Sequence, residues 1–337
     1  MAASGYLADQ MAALVEDQVK NQGGILGGRM VKFIRGDDVG EVAQSSAQAT
    51  KLILDEKVSG LTLGGESGAQ SVAVAQVTEE LKIPFASFTT VDGVEALKYT
   101  VSLYSYGPAI TRDVNFITTV IKPKTVAYLS ADDVPARTVI KGVKDALEAK
   151  GITTVYEQYY GPGTQDFTSF LTKIKYAKPD LLVDHLMTPE AIAVNKQIVE
   201  LGGLGSAIQF GASEASGGGG VISKPEAVGN YVAVLWMPGS QEPGMKAFED
   251  VFKQKYGRLP SPELAMYYNS YWAIIKAMEL AGTADDHDKV AEALRSGKLV
   301  WESSYGPMTI NTDGHADYTA RVAQVQAGGK LVQVWPQ

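Results

Sequence analysis

Short apolar runs alternate with segments of helical periodicity along most of this chain, and no other feature constrains its fold as strongly. The runs at 125–130 and 180–186 are largely apolar, and the segments that follow them, 136–151 and 189–203, have helical spacing. Strands with both faces apolar, joined by helices, are typical of parallel sheets covered by helices on both sides. The pattern therefore predicts an α/β fold with parallel-rich sheets.

The same periodicity predicts a full set of elements. The predicted strands are 30–34, 58–65, 83–88, 125–130, 153–160, 180–186, 207–213 and 231–237. The predicted helices are 5–22, 42–56, 69–82, 136–151, 167–177, 189–203, 245–257, 261–282 and 288–297. The C-terminal part has a β pattern, with a turn at 311–314 and a hairpin at 326–330. Trp272, Ile275 and Met278 have the spacing of a helix face in the core.

Charge, cysteine content and hydropathy exclude several classes of protein. The 337 residues carry 38 acidic and 30 basic side chains, without the cluster of Lys and Arg that a nucleic-acid surface requires. The absence of cysteine excludes disulfides and thiolate metal sites. No apolar run reaches the length of a membrane span, and the opening "MAASGYLADQ" lacks the pattern of a signal peptide. This length predicts a globular protein of two domains.

Glycine-rich stretches and histidines give no sign of a cofactor or metal. In "NQGGILGGRMVKFIRGDD" (21–38) the order is helix, glycines, strand, whereas a phosphate loop needs strand, glycines, helix, so we predict a structural turn. The stretch "SGGGG" (216–220) is predicted to be a mobile loop. His185, His287 and His315 lie far apart, and none has a second ligand three or four positions away, so no zinc site is predicted.

The loops after the predicted strands carry the candidate chemistry, because ligands of open parallel sheets bind at the carboxyl ends of the strands. Ser67 in "GGESGA" lies at a strand-to-helix turn, where three roles are open. It can help to bind a carboxylate at the helix N-terminus, cap that helix, or act as a nucleophile. We favour carboxylate binding, because the pattern departs from a nucleophile elbow.

The next loop, "SFTT", offers the hydroxyls of Ser87, Thr89 and Thr90, and Phe88 supplies an apolar wall. An anion cradle and a turn with ordinary capping are equally good interpretations of it. In the second half of the chain the polar residues at predicted strand ends are acidic, and one of them is expected to bind an ammonium group. These acidic residues are Asp132, Asp133, Asp184 and Glu214. His185 also ends a strand, and one of Tyr267, Tyr268 and Tyr271 is expected to edge the binding cleft.

Four stretches together resemble the branched-chain amino-acid-binding proteins, the Leu/Ile/Val-binding-like type I periplasmic solute receptors of ABC importers. They are "VKNQGGILGGRMVKFIRGDD", "IPFASFTT", "FKQKYGRLPSPELAMYYNSYWAIIKAMELAG" and "YGPMTINTDGHADYTARVAQVQAGGKLVQVWP". The resemblance covers nearly the whole chain. It implies two Rossmann-like lobes joined by a three-segment hinge, which close over a solute without a reaction. We predict lobe 1 from 1–107 plus 240–310 and lobe 2 from 108–239 plus 311–337.

The resemblance also assigns residues. Ser67 corresponds to the hydroxyl that holds the amino-acid carboxylate, the loop 87–90 to the segment that grips the same group, and Glu214 to the acid that binds the ammonium. The sequence departs from the family where Val91 falls on an expected threonine and Val134 on an expected aromatic residue. The expected ligand-binding residues are Ser67, Ser87, Phe88, Thr89, Thr90, Glu214, Asp184, Val134, Tyr6 and Tyr267.

The largest departure is at the N-terminus. The family begins with a strand and a "PLSG"-like loop before its first helix, whereas this sequence starts inside that loop, at "AASGYLADQ". The lobe 1 sheet is therefore expected to lack its first strand, which would expose backbone groups on both neighbouring strands. We expect an incomplete N-terminus.

These assignments predict a receptor on the periplasmic or extracellular face of the membrane. A membrane permease of an ABC importer is expected to recognise it. The expected solute is a hydrophobic or aromatic amino acid or a similar small carboxylate. No catalytic residue, cofactor, metal or nucleic-acid partner is expected, and the protein is expected to be a monomer. Two alternatives are a ligand-sensing regulatory domain on the same fold, responding to amides or amino acids, and a serine hydrolase that uses Ser67.

Overall fold

The structure, a computed structural model, describes residues 3–336 and divides the chain into two compact units. Unit 1 comprises Met1–Ser105 and Pro238–Thr319, and unit 2 comprises Tyr106–Met237 and Ala320–Gln337. Each unit therefore combines chain segments that are distant in sequence. Both contain helices and parallel strands, which confirms the predicted α/β class. Within residues 3–336 no helix is both long and apolar enough to cross a membrane.

The helices and strands are numbered in chain order. The helices are α1 Ala3–Asn21, α2 Val42–Leu54, α3 Gly68–Leu81, α4 Tyr106–Phe116, α5 Val134–Glu148, α6 Thr168–Ala177, α7 Thr188–Glu200, α8 Gly219–Ile222, α9 Pro243–Tyr256, α10 Pro262–Ala281 and α11 His287–Leu294. The strands are β1 Leu61–Leu63, β2 Phe85–Ser87, β3 Thr100–Ser102, β4 Thr125–Ala131, β5 Thr153–Tyr160, β6 Leu181–His185, β7 Ile208–Gly211, β8 Tyr231–Val234, β9 Val300–Ser303, β10 Gly306–Ile310, β11 Ala316–Tyr318, β12 Arg321–Gln326 and β13 Lys330–Trp335.

Unit 1 is built around a parallel sheet of three short strands in the order β1–β2–β3. Its core on one side joins β1 and β2 to α2 and α3 through Ile53, Leu61, Val74 and Phe85. Helix α10 packs on β1 and β2, and α1 packs on α10. Strands β9–β11 form a separate antiparallel sheet, with the predicted turn at 311–314 between β10 and β11.

Unit 2 contains one seven-stranded sheet in the order β13–β12–β8–β7–β6–β4–β5. Strands β4 to β8 pair in parallel, and β12 is antiparallel to both β8 and β13. The central runs are buried because helices cover both faces; Leu181, Leu182 and Val183 are fully inaccessible. The β12–β13 hairpin closes through the turn Ala327–Gly329, where Gly328 has φ of 74°, which confirms the predicted hairpin.

Two expectations for secondary structure were wrong, and two elements were missed. Residues 30–34 form no strand, although a one-residue bridge between Ile25 and Arg29 precedes them. Strand β3 and helix α4 were not predicted, and α4 continues into a π-helical turn at Ile117–Ile121. Residues 216–220 are not a loop: 216–217 end the turn Glu214–Gly217, Gly218 caps helix α8 and 219–220 open that helix, and Gly217 lies against the backbone of Ala233. The turn at 21–38 agrees with prediction, since Gly23 and Gly24 have φ of 86° and 89° just after α1.

The N-terminus of α9 packs so closely on β9 that it requires a glycine. A Cβ at Gly244 would lie 2.1 Å from the backbone O of Ser303, which cannot move like a flexible side chain. We expect Gly244→Ala to lower the free energy of unfolding by at least about 2 kcal/mol, measured by urea denaturation. Gly107→Ala is the matched control, because Gly107 is also the second residue of a helix and a Cβ there would meet nothing within 4 Å. Equal stability of the two variants would contradict this packing.

Candidate functional site

Ser67 is the N-cap residue of α3 and lies on the surface of unit 1. Two glycines with positive φ, Gly64 and Gly65, turn the chain from β1 into this helix. The Ser67 hydroxyl accepts a hydrogen bond from the amide of Gln70 at 3.3 Å, and Oε1 of Gln70 accepts one from the amide of Ser67 at 3.0 Å. This reciprocal pair is a capping box. Of the three roles considered, capping is therefore present in the structure, and it leaves the helix N-terminus facing outward.

A carboxylate that sequence reasoning missed supports this cap. Nε2 of Gln70 donates to Oδ2 of Asp38 at 2.8 Å, and the hydroxyl of Ser45 donates to the same oxygen at 2.7 Å. Asp38 thereby fixes the rotamer of Gln70, and Gln70 in turn fixes Ser67. The signal was available in the sequence, because serine followed three residues later by glutamine is the pattern of a capping box.

Three buried or half-buried hydroxyls lie beside this helix start, and we call Ser71, Ser87 and Thr89 the hydroxyl cluster. Oγ of Ser71 lies 2.7 Å from Oγ1 of Thr89, and the hydroxyl of Ser87 donates to Oγ of Ser71 at 3.0 Å. Ser71 was not predicted, although its position one helical turn after Ser67 could have suggested it. The structure thus brings Ser87 and Thr89 together at the carboxyl end of β2.

The apolar residues expected near this site are also present in unit 1. The ring of Phe88 contacts that of Tyr267 edge to face, with centroids 4.8 Å apart. The phenol of Tyr267 donates to Oε1 of Glu66 at 2.5 Å, and burial together with this bond raises the pKa of the phenol. Thr90 donates to the carbonyl of Tyr104 at 3.4 Å. Glu66, next to Ser67, was not predicted.

Among the other unit 1 tyrosines, Tyr6 is 56% exposed on α1 and accepts a hydrogen bond from Gln10 at 3.2 Å. Tyr268 packs against Trp272 and Phe248, and Tyr271 packs against Phe33. The core role predicted for Trp272 is confirmed by its burial. Tyr267 is therefore the tyrosine of α10 that contacts the loop 87–90.

In unit 2 the acidic residues at strand ends have different environments. Asp132 pairs with Arg137 at 2.5 Å on the surface, and Asp133 caps α5 by accepting from the amide of Ala136 at 2.8 Å. Val134 opens α5 and is 69% exposed. Asp133 thus caps the helix. Val134, the first residue of the same helix, faces solvent.

Asp184 lies inside unit 2, only 1% exposed, where it accepts a hydrogen bond from Nε2 of Gln209 at 2.8 Å. The same Gln209 amide also donates to Asn195 at 2.9 Å. Burial raises the pKa of Asp184 to about 7. The next residue, His185, also ends β6, and burial lowers the pKa of its imidazole against the opposing effect of Glu214 and Asp133. Asp184 therefore belongs to a polar network within the core.

Glu214 is part of a buried charge cluster with Arg112 and Asp113. The guanidinium of Arg112 donates to Oε1 of Glu214 at 2.8 Å, to Oδ1 of Asp113 at 2.7 Å and to the carbonyl of Ala212 at 2.9 Å. The side chains of Arg112 and Asp113 are fully inaccessible, and that of Glu214 is 21% exposed. One arginine thus fixes an acid at the carboxyl end of β7.

The protonation of the charge cluster follows from burial and from Arg112. Burial raises the pKa of Asp113 to about 7, although Arg112 opposes it. Burial also acts to raise the pKa of Glu214, but Arg112 outweighs it and holds that pKa below the ordinary value of a glutamate. Glu214 is therefore a carboxylate near neutral pH, with its charge already compensated by an arginine. Sequence reasoning missed Arg112.

Within unit 1 the arrangement is suited to binding an anion. The amides of Gly68 and Ala69 open α3, where no preceding helical turn supplies carbonyls, and the helix dipole favours negative charge there. The exposed Ser67 hydroxyl and the hydroxyl cluster flank the same segment. Among the described residues, no group of three or more His, Asp or Glu side chains is placed to hold a metal ion.

Comparison with known proteins identifies relatives along the whole chain. The family model described as periplasmic binding protein matches residues 1–330. The Leu/Ile/Val-binding protein BraC3 of Rhizobium johnstonii is 26% identical over 361 residues, which cover 98% of this chain and 90% of the relative.

Two solved structures show the same fold. An amino acid ABC transporter substrate-binding protein from Pseudomonas fluorescens has a TM-score of 0.86 at 18% identity, covering 99% of this chain and 91% of the other. An ABC transporter solute-binding protein from Rhodopseudomonas palustris, in complex with 3,4-dihydroxybenzoic acid, has a TM-score of 0.80 at 21% identity, covering 99% and 92%. Because the family model spans nearly all of the sequence and these neighbours share its architecture, the chain belongs to the periplasmic binding protein family.

Proposed function

We propose that this chain is the extracytoplasmic solute receptor of an ABC importer, and that it binds a small apolar molecule through a carboxylate. The observation that carries the proposal is the exposed N-terminus of α3, where Ser67 and the hydroxyl cluster lie beside the first amides of the helix. A helix N-terminus binds an anion through its amides and its dipole. The relatives support transport, since their names describe Leu/Ile/Val-binding and ABC transporter proteins.

The apolar part of the solute is expected to contact aromatic rings. Phe88 follows the hydroxyl of Ser87 directly, and its ring packs on that of Tyr267. We propose these two rings as the wall for a branched aliphatic or aromatic group. Val134, exposed at the start of α5, is a second proposed contact. Asp184 is better assigned to the polar network inside unit 2 than to the solute, because it is buried and bonded to Gln209.

The amino group of an amino acid would be bound by Glu214. Its carboxylate is partly exposed and remains charged near neutral pH, but Arg112 already compensates its charge. An ammonium group that binds to Glu214 therefore gains less binding free energy than it would beside a carboxylate without an arginine partner. This favours a solute class that includes carboxylic acids without an amine. The complex with 3,4-dihydroxybenzoic acid in a protein of the same fold agrees with such a class.

Isothermal titration calorimetry tests the proposal. Leucine, phenylalanine and benzoate are each compared with the matching carboxamide, which has the same shape without the negative charge. We expect saturable binding of at least one acid and at least about tenfold weaker binding of its amide, since a hydrogen bond to a charged group contributes roughly 1.5–3 kcal/mol. Failure of every acid to bind, or equal affinity for acid and amide, would contradict the proposal.

Variants then locate the binding groups. We expect Ser67→Ala and Thr89→Val each to weaken binding of the acid by about tenfold, because each removes a hydroxyl beside the anion. Thr172→Val is the matched control, since its hydroxyl bonds the carbonyl of Thr168 within α6. Glu214→Gln is expected to weaken the binding only of ligands that carry an ammonium group. Unchanged affinity in both Ser67→Ala and Thr89→Val would show that the solute binds elsewhere in the protein.

The same measurements separate the alternatives. A serine hydrolase would release product from an ester or amide, and Ser67→Ala would abolish that turnover. In the structure, however, the Ser67 hydroxyl donates to Oε1 of Gln70 at 3.0 Å, so it is paired with an amide and not with a general base. A regulatory domain would bind the same ligand but would not associate with permease subunits. Ligand-dependent stimulation of a reconstituted importer favours the transport role.

A further inference from the structure

A carboxylate that the proposed solute site does not explain lies directly beside it. Glu66 precedes Ser67, the N-cap of α3, and its side chain is exposed. Its Oε1 accepts the hydrogen bond from the phenol of Tyr267 at 2.5 Å, whereas Oε2 has no hydrogen-bond partner within residues 3–336. No lysine, arginine or histidine of that range forms an ion pair with Glu66. Unlike Glu214, this carboxylate therefore has no compensating cation.

The backbone of Glu66 has a fixed position relative to α3. Oε1 of Gln70 accepts hydrogen bonds from the amide of Glu66 at 3.1 Å and from that of Ser67 at 3.0 Å. The preceding residue packs on the same side chain, since a Cβ at Gly65 would lie 2.6 Å from Cβ of Gln70. One glutamine thus holds both the cap of α3 and the residue before it. The carboxylate of Glu66 therefore starts from a defined point beside the helix N-terminus.

Tyr267 connects this carboxylate to the proposed apolar wall. The side chain of Tyr267 is only 3% exposed, and its ring contacts that of Phe88. A buried tyrosine hydroxyl normally finds a hydrogen-bond partner, and here the partner is Glu66. The start of α3 contacts the same loop, because a Cβ at Gly68 would lie 3.1 Å from the carbonyl O of Thr90. Glu66 therefore lies at the junction of the proposed anion site and its aromatic wall.

A carboxylate without a cation has opposite effects on two kinds of solute. It disfavours a second carboxylate nearby, because like charges repel each other. It favours a hydrogen-bond donor, and a hydrogen bond to an ionised group is roughly twice as strong as one between neutral groups. A plain carboxylic acid therefore loses affinity beside Glu66, whereas an acid that carries a donor close to its carboxylate recovers it. Attraction of one solute and repulsion of another together produce specificity.

We propose that Glu66 is a specificity-determining residue, whose carboxylate accepts a hydrogen bond from a hydroxyl or ammonium group on the carbon next to the solute's carboxylate. The donor must be that close because Glu66 directly precedes the capping Ser67. The inference rests on the proposed carboxylate receptor and narrows its solutes to 2-hydroxy and 2-amino carboxylic acids with an apolar remainder. Tyr267 is a positioning residue, since its phenol bonds one carboxylate oxygen and leaves the other for the solute.

Three solutes with the same isobutyl group test the inference by isothermal titration calorimetry. Leucine, 2-hydroxy-4-methylpentanoate and 4-methylpentanoate carry an ammonium, a hydroxyl and a hydrogen, respectively, on the same carbon. We expect the wild type to bind the hydroxy acid at least about tenfold more tightly than the plain acid. In Glu66→Gln we expect weaker binding of the hydroxy acid and tighter binding of the plain acid, so that the preference falls to about twofold or less. A merely structural role of Glu66 would weaken all three solutes alike.

Two further variants sharpen this test. Glu80→Gln is the matched control, because Glu80 is an exposed glutamate in the last turn of the same helix, far from its N-terminus. It should change no affinity by more than about twofold, since exposed charges at that separation are screened. Tyr267→Phe keeps the ring beside Phe88 and removes the phenol that holds Glu66. We expect it to reduce the preference for the hydroxy acid by at least about threefold.

The outcomes distinguish this inference from the proposed function. Equal binding of the hydroxy acid and the plain acid by the wild type, or a preference that persists in Glu66→Gln, would overturn the role of Glu66 and leave the carboxylate receptor intact. A preference that disappears in Glu214→Gln, and not in Glu66→Gln, would assign the donor to unit 2 and overturn it as well. Failure of the wild type to bind any of these acids or benzoate would contradict the proposed function, and the inference with it.

Discussion

Arg112→Met is expected to lower the free energy of unfolding by about 3–5 kcal/mol, because it removes the buried guanidinium that pairs with both Asp113 and Glu214. Methionine has a similar length and preserves most of the packing, so the loss reports charge and hydrogen bonding. Guanidinium or urea denaturation at pH 7.5 measures it. Arg137→Met is the matched control. It removes another arginine of unit 2, which pairs with Asp132 and lies over the ring of Tyr159, but that ion pair is about half exposed and its loss should lower the free energy of unfolding by no more than about 1 kcal/mol.

A double variant separates charge from packing. In Arg112→Met with Glu214→Gln, residue 214 no longer carries the negative charge that Arg112 compensates in the wild type, so the additional substitution should restore part of the stability that Arg112→Met alone removes. Additive losses from the two substitutions would show that Arg112 does not stabilise unit 2 through Glu214. A loss below about 1 kcal/mol for Arg112→Met alone would contradict the buried ion pair altogether.

Asp184→Asn is expected to make unit 2 more stable above pH 7. The pKa of Asp184 rises from 3.8 to about 7 on folding, so the folded state holds a proton that the unfolded state releases. Between pH 4 and 7 the wild type therefore loses stability as pH rises, and the full difference corresponds to at most about 4 kcal/mol. Asparagine cannot ionise, and its Oδ1 can still accept the hydrogen bond from Gln209. The free energy of unfolding of Asp184→Asn relative to the wild type should increase from pH 4 to pH 7 and then stay constant.

Asp180→Asn serves as the control, because the pH dependence of its effect on stability is expected to have the opposite sign. Asp180 accepts hydrogen bonds from the amides of Lys124 and Thr125, which hold its pKa below the ordinary value. Its contribution to stability is present above that ordinary pKa and disappears as pH falls. Asp180→Asn should therefore destabilise at pH 7 and approach the wild type in acid. Denaturation midpoints at a series of pH values measure both variants, and parallel pH profiles would refute the assignment for Asp184.

The sequence predicted the central strands β4 and β6 of unit 2 well, because burial on both faces leaves largely apolar runs there. It predicted residues 30–34 wrongly, since a strand depends on the neighbour with which it pairs as much as on its own residues. Helix α4 was missed because Arg112 and Asp113 interrupt its apolar face. In the sequence, a charged pair in a helix is typical of a solvent-exposed face. Only the structure shows that Glu214 lies against Arg112 and that the pair is buried.

The candidate site was predicted in part for the same physical reasons. Hydroxyl-bearing residues at strand ends were identifiable, because the α/β pattern fixes where strands end. Their partners were harder to find. Ser71, Asp38 and Glu66 contact the predicted residues through side chains whose direction depends on rotamers and on the twist of the sheet. The capping box at Ser67 and Gln70 is the exception, since its spacing is local.

The assembly of unit 1 from two distant segments also affects how the protein is made. Helix α10 supplies one covering layer of the β1–β2–β3 sheet, and its residues lie in the second segment, after all of Tyr106–Met237. Unit 2 in turn requires β12, which follows Thr319 and connects β8 to β13. Neither core can close while the ribosome is still synthesising the last quarter of the polypeptide. We therefore expect nascent chains to remain open to chaperones and to export machinery until translation is nearly complete.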